Sequence, residues 1–299
     1  MAKWVVVGAS GFVGRGISEA IESAGYPVSK CTAPRLSADS DWSAERVVES
    51  MSDFVGEIEW LADRFSDHDI VVNAAGLATP GAPDSRSLFG ANSVLPVVVL
   101  LAARRAGVSR YIHISSAAVQ GRRRELDSSW DHQPFSPYSR SKAVAEASLR
   151  LVLDDADLET DVRIVRATSI QDDTRETTKQ LIRFARSPFA SVAAPGGAHS
   201  PVSTLGGLAD FVLAIGADPV REFSVSVQPW EGLTVQDVIR KYGMKEPLRL
   251  PASLCHFALE IGYLLAKLRF PGIESIVRRA EVLWFGQSIR FDKRGIALD

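Results

Sequence analysis

Two hydrophobic repeats alternate along this chain. Short apolar, β-branched runs read as buried parallel strands, and stretches with an apolar residue every three or four positions read as helices. Residues 4–7 form the first such run and 17–24 look helical; 26–32 suit a second strand. From 41 to 65, Val47, Val48, Met51, Phe54, Val55, Ile58 and Leu61 recur at helical steps, with no clear strand among them. Residues 69–76 are a strong strand ending in small residues, 92–106 a helix and 110–115 a strand. A polar, proline-bearing loop over 121–137 precedes a long helix at 138–153 and another strand at 161–167. Strands alternating with helices predict a Rossmann-type α/β fold, a doubly wound parallel sheet, over residues 1–169.

The pattern loosens over 170–299. Residues 180–186 look helical, 188–201 loop-like, 205–215 an apolar helix and 222–228 a strand, and the Thr234 hydroxyl caps a helix at 235–242. Two helical stretches in the tail, 251–284, are split by Pro271-Gly272. The apolar stretch 254–268 contains His256, Glu260 and Lys267, and is shorter than the roughly 20 residues a bilayer requires. It reads as a packing or lid helix, with membrane-surface contact as the alternative, and no firm membrane segment results. This second part suits a smaller substrate-binding subdomain with C-terminal helices, from which the chain is free to re-enter the sheet.

Composition narrows the function classes. The chain has 299 residues, 46% hydrophobic and 23% charged, enough for a large core in one α/β domain with an appendage. A net charge of −2 gives no electrostatic case for nucleic acid, and Arg122 to Arg124 read as a solvated loop. Cys31 and Cys255 lie far apart and the five histidines lack ligand spacing, so no metal site is expected and a reducing cytoplasm suits the chain. The N-terminus runs straight into the first strand, against a cleaved signal peptide.

Gly8, Gly11 and Gly14 follow that strand. Small residues there allow a tight strand-to-helix turn, close backbone approach to a pyrophosphate, and free N–H groups at the helix start. The spacing G-x-x-G-x-x-G departs from the commoner G-x-G-x-x-G. At the end of the second strand, where an acid would grip the ribose 2′-OH of NAD, stand Lys30, Thr32 and Arg35, and the first acid beyond is Asp39. Cations suit a 2′-phosphate, hence NADP with NAD as the alternative; the bland reading is an exposed basic loop. Tyr138 and Lys142, four apart, share a helix face. A nearby ammonium lowers a phenol's pKa from about 10 towards the working range, so Tyr138 suits proton transfer coupled to hydride transfer. Ser116, at a strand end, can hold the substrate oxygen.

In this order the pieces GASGFVG (8–14), VVNAAG (71–76), Asn92, ISSAAVQG (114–121) and SPYSRSKAVAE (136–146) resemble the extended short-chain dehydrogenase/reductases, in their NAD(P)-dependent epimerase/dehydratase group acting on nucleotide sugars. The resemblance implies that Gly8, Gly11 and Gly14 contact the pyrophosphate, with Ser10, Phe12, Val13 and Arg15 beside them. It implies that Asn73, Ala74, Ala75, Gly76, Asn92 and Ser115 belong to the cofactor site. Ser116, Tyr138 and Lys142 become the catalytic trio, with Tyr138 and Lys142 also touching cofactor. Arg15 recurs in relatives that use NADP. Departures lie near the substrate: Gln120 replaces a usual tyrosine, the acidic patch after the third strand is missing, and ATSIQDD after Arg166 lacks Val-Tyr-Gly-Pro. Of the cations Arg175, Lys179, Arg183 and Arg186, at least one, with Arg183 the choice, is expected on the substrate's phosphates. Relatives commonly dimerise through the two helices carrying Val97, Val98, Leu100, Leu101 and Val144, Ala147, Leu151, so a homodimer is expected. The alternatives are a sterol- or lipid-type hydroxyl dehydrogenase of the same superfamily and a non-catalytic NADP-sensing protein.

Overall fold

Every residue of the strand Trp4–Val7 (β1) is buried, and β1 pairs in parallel with Val28–Cys31 (β2) on one side and Ile70–Asn73 (β3) on the other. The computed structural model describes residues 1–78, 84–154, 160–220, 224–268 and 273–290. The expected Pro271-Gly272 break lies outside them. The sheet continues through Arg110–Ser116 (β4), Asp161–Ala167 (β5) and Ser224–Val227 (β6), all parallel, in the order β6-β5-β4-β3-β1-β2. Its helices are α1 (Phe12–Ser23), α2 (Ala44–Glu49), α3 (Val55–Phe65), α4 (Leu95–Arg105), α5 (Pro137–Asp154) and, after the sheet's carboxyl edge, α6 (Glu176–Arg186), α7 (Leu205–Ala217), α8 (Val235–Gly243), α9 (Ala252–Lys267) and α10 (Ile273–Phe285).

Alternation along the strands sorts the two layers. Trp4 and Val6 join Ile70, Val72, Ile112 and Ile114 against Ile17 and Ile21 of α1 and Leu208 and Val212 of α7. Val5, Val7, Val71 and Tyr111 face the other layer, α3, α4 and α5. Helix α1 starts at Phe12, with Gly11 as its cap, five residues earlier than expected because Gly14 and Gly16 interrupt the apolar repeat.

Residues 41–65 contain no strand. After β2 the chain runs through α2, a 3₁₀ turn at Ser50–Phe54 and α3, leaving β2 as a sheet edge on which Ser29 and Lys30 are exposed. Val47, Met51, Ile58, Leu61 and Phe65 enter the same core as Val97, Val98 and Leu100 of α4 and Leu149 of α5. Ser148 of α5 donates to the Ala44 carbonyl at 3.4 Å. Leu101 and Val144 pack against this core too. The apolar residues of α4 are therefore largely covered from within the chain, while Ala147 and Leu151 of α5 stay half-buried. By length and composition Arg86–Arg105 could cross a membrane, but 78% of its apolar window is buried inside the fold.

A second lobe, built from residues 168–204 and 228–290, follows the carboxyl ends of β5 and β6. Short parallel pairs brace it: Ser191–Ala193 with Leu248–Leu250, and Glu125–Leu126 with Ser288–Ile289. Both fall partly in stretches expected to be loops, since two or three residues are too few for alternation to register. Between the halves of this lobe the chain returns to the sheet as α7 and β6. Arg110, buried in β4, fixes that return: it pairs with Asp161 at 2.5 Å and donates to the Ile215 and Gly216 carbonyls at 2.6 and 2.9 Å.

Candidate active site

Strand order reverses at β1, which leads to β2 on one side and lies beside β3 on the other, so a crevice opens beyond the carboxyl ends of β1 and β3. Gly8 turns the chain there with φ +81°, and a Cβ on it would lie 2.7 Å from the backbone of Ala75. A Cβ on Gly14 would lie 2.2 Å from the Gly8 carbonyl oxygen. Only glycines let the β1–α1 turn press this closely on α1 and on the loop after β3. Ser10 and Gly11 are exposed, Phe12 and Val13 half-buried, so the open side of the turn carries the first N–H groups of α1. Arg15 is exposed and donates back to the Ser10 carbonyl at 3.3 Å. An anion such as a pyrophosphate fits this turn.

Across the crevice lie Ala74, Ala75 and Gly76. Gly76 has φ +154°, and a Cβ on it would sit 2.8 Å from Asn92 Oδ1 and 3.4 Å from Lys142 Nζ. Asn73 and Asn92, expected to touch cofactor, are wholly buried and spend their amides inside the protein. Asn73 accepts from the Ala75 N–H at 3.1 Å and donates to the Tyr111 hydroxyl at 3.2 Å. Asn92 accepts from the Leu77 N–H at 2.9 Å and donates to the Leu77 carbonyl at 3.2 Å and Ser141 Oγ at 3.1 Å. They hold the crevice wall in shape, and its accessible surface comes from Ala74 and Gly76.

Helix α5 carries the candidate catalytic groups. Pro137 sits at its first position and Ser136 caps it: Ser139 N–H donates to Ser136 Oγ at 3.2 Å, and Ser136 N–H to Ser139 Oγ at 2.9 Å. Tyr138, Lys142 and Glu146 follow at four-residue intervals along one side. Burial pushes the Tyr138 phenol above its ordinary range, while a hydrogen bond with Ser116 and the charge of Arg175 pull it back. Ser116 Oγ also accepts from the Ala118 N–H at 3.2 Å. Lys142 is buried and donates to the Ile114 carbonyl at 2.9 Å; burial depresses it to about 8, against the opposing pull of Glu146. The expected lowering of the Tyr138 pKa by Lys142 is thus not what this geometry gives. The ammonium is held under Gly76 by a backbone carbonyl, and Ser116 and Arg175 act on the phenol instead.

Glu146 was not singled out from the sequence, although it continues the four-residue step from Tyr138 and Lys142. It accepts from Ser115 Oγ at 2.5 Å and pairs with Arg166 at 2.7 Å and His132 at 2.9 Å. Burial opposes its ionisation, but Arg166 and His132 outweigh burial and hold the carboxyl far below its ordinary range. Arg166 donates in addition to the carbonyls of Asp127 and Ser129, each at 2.8 Å. Ser115 is therefore a member of this buried network.

Residues 4–174 match the NAD dependent epimerase/dehydratase family. The chain belongs to that family. No curated protein matches it by sequence. Solved structures share its fold at low identity. MoeE5 in complex with UDP-glucose and NAD is 18% identical, with 98% of this chain and 95% of that chain covered at a TM-score of 0.58. The protein gox2253 is 18% identical, covering 96% and 90% at a TM-score of 0.65. The UDP-glucose 4-epimerase of Thermus thermophilus, in complex with NAD, is 19% identical, covering 84% and 86% at a TM-score of 0.54.

In this epimerase/dehydratase chain the cations fall differently from the sequence expectation. Arg183 is exposed and pairs with Glu176 on the outer face of α6. Arg175 is the one that reaches the crevice: as N-cap of α6 it donates to the Ile170 carbonyl at 2.9 Å and lies 5.5 Å over the Phe12 ring. The helix period put Arg175, Lys179 and Arg183 on one face, but Arg175 precedes the helix and so points elsewhere. Lys30 pairs with Glu22 at 2.9 Å on the exposed sheet edge. Arg15 and Arg35 are both exposed, on α1 and in the loop after β2.

Proposed function

We propose that this chain is an NAD(P)-dependent oxidoreductase or epimerase acting on a nucleotide-activated sugar. The observation that carries the reading is Tyr138, facing Ser116 and one helical turn from Lys142, in a chain of this family whose glycine turn and Gly76 wall frame the neighbouring crevice. Gly11 and the start of α1 would hold the dinucleotide's pyrophosphate, and Lys142, beneath Gly76, its nicotinamide ribose. That cofactor, when bound, supplies or accepts a hydride. Ser116 holds the substrate oxygen, and Tyr138 takes its proton as hydride leaves the adjoining carbon, or returns one to a carbonyl. The absence of a carboxylate at the end of β2, with Arg15 and Arg35 exposed nearby, favours NADP(H) over NAD(H). UDP-glucose in MoeE5, on the same fold, supports the nucleotide-sugar class. Both cysteines are free thiols, in keeping with a reducing cytoplasm.

The test begins with titration of NADPH and NADH by quenching of protein fluorescence, followed by loss of NADPH absorbance with a panel of nucleotide keto-sugars. Tyr138→Phe should keep cofactor affinity and lose roughly 10²–10⁴-fold in turnover. Undiminished turnover in that variant would remove Tyr138 from the mechanism. Turnover of sterols or other apolar alcohols with no response to any nucleotide sugar would replace the substrate class.

A further inference from the structure

Helix α9 has an outer face that nothing among the described residues covers. Leu254, Phe257, Ile261, Leu264, Leu265 and Leu268 follow one another at short, mostly three- and four-residue steps, and each is between 40 and 64% exposed. They form a single apolar stripe along a helix about 24 Å long. The helix cannot turn this face inward. Its other side is fixed against α10, where a Cβ on Gly262 would lie 2.6 Å from Val277, where His256 stacks on Phe285 at 4.2 Å, and where Tyr263 bonds Glu281.

We propose that this face docks a second copy of the same chain, forming a two-fold dimer through paired α9 helices. At roughly 100 Å² apiece the six side chains remove about 600 Å² per copy, or about 1,200 Å² in all, which reaches the lower bound of stable, specific interfaces. It is also at the upper end of the apolar patch an ordinary monomer leaves in water. Charge sets the register. Glu260 and Lys267, both exposed, lie seven residues apart on the same flank of the stripe. In an antiparallel pairing about an axis between Tyr263 and Leu264, Glu260 of one copy comes opposite Lys267 of the other, and the two-fold makes this happen twice. An anionic lipid surface would call for a cationic flank, whereas here the two charges cancel. The stripe lies on a different element from the α4 and α5 faces, so this interface is a separate one.

Sedimentation velocity of the full chain at low micromolar concentration should show a species of twice the 32.4 kDa chain mass. Leu264→Asp, a change at an exposed position, should leave the circular dichroism spectrum and melting temperature unaltered and weaken dimerisation at least 100-fold. Glu260→Lys should weaken it about tenfold by setting lysines opposite each other, and Glu260→Lys with Lys267→Glu should restore it. A wild-type monomer at every concentration, or a Leu264→Asp protein that dimerises normally, would overturn the proposal. So would a monomer that floats with phosphatidylcholine–phosphatidylglycerol vesicles and loses this in Leu264→Asp, which would assign the face to a membrane.

Discussion

Replacing Glu146 by glutamine keeps its shape and removes its charge, leaving the Arg166 guanidinium, fully buried, with no counter-charge among its partners. Breaking a buried pair from one side typically costs about 3–5 kcal/mol. With an unfolding entropy of roughly 2 cal/mol/K per residue, a chain of 299 residues should then melt about 5–8 °C lower. The pH dependence has a definite sign. The folded carboxyl lies far below its unfolded value, so its contribution is complete above the ordinary carboxylate range and is lost as pH falls below it. Wild type and Glu146→Gln should therefore differ most near neutrality and converge in acid. Thermal melts followed by circular dichroism at neutral and acidic pH measure this. The double variant Glu146→Leu with Arg166→Met, which replaces both ions by apolar side chains, should recover most of the loss. A single variant within about 1 kcal/mol of wild type, or a double variant as unstable as the two single changes combined, would refute the account of this network.

Lys142 carries the same sign of linkage in a higher pH window. Its folded value of about 8 lies below the ordinary 10.5, so the unfolded chain binds more protons between these values and stability should rise with pH across that window; Lys142→Met should flatten the rise in pH-dependent melts. Arg175→Gln should raise the Tyr138 phenol further, read as the phenolate absorbance difference between each protein and its Tyr138→Phe counterpart. Arg183→Ala, on the exposed face of α6, should leave both that titration and NADPH affinity unchanged, and a shift as large as that of Arg175→Gln would mean the two arginines are wrongly placed.

The sequence by itself determined the sheet and the placing of Tyr138 and Lys142 on one helix side. Valine-rich runs such as Trp4–Val7 and Ile70–Asn73 can only be satisfied by burial on both faces, and the glycines at 8, 11 and 14 admit few turns other than a close one. Tyr138 and Lys142 share a helix side because the α-helical period is local. The same locality marks where sequence reasoning stopped. An apolar stripe states that a face must be covered, but not by what: residues 44–65 pack against α4 and α5, and among the described residues α9 is left open. A polar residue looks alike in sequence whether it faces a crevice or a backbone group, so the internal bonds of Asn73, Asn92 and Ser115 became visible only in the fold. Glu146 meets Arg166 across twenty residues and Ser115 across thirty-one, and Arg175 reaches Phe12 from another lobe. Such charge pairings act through space over a few ångströms, so only the tertiary structure, which brings distant segments within that range, could decide them.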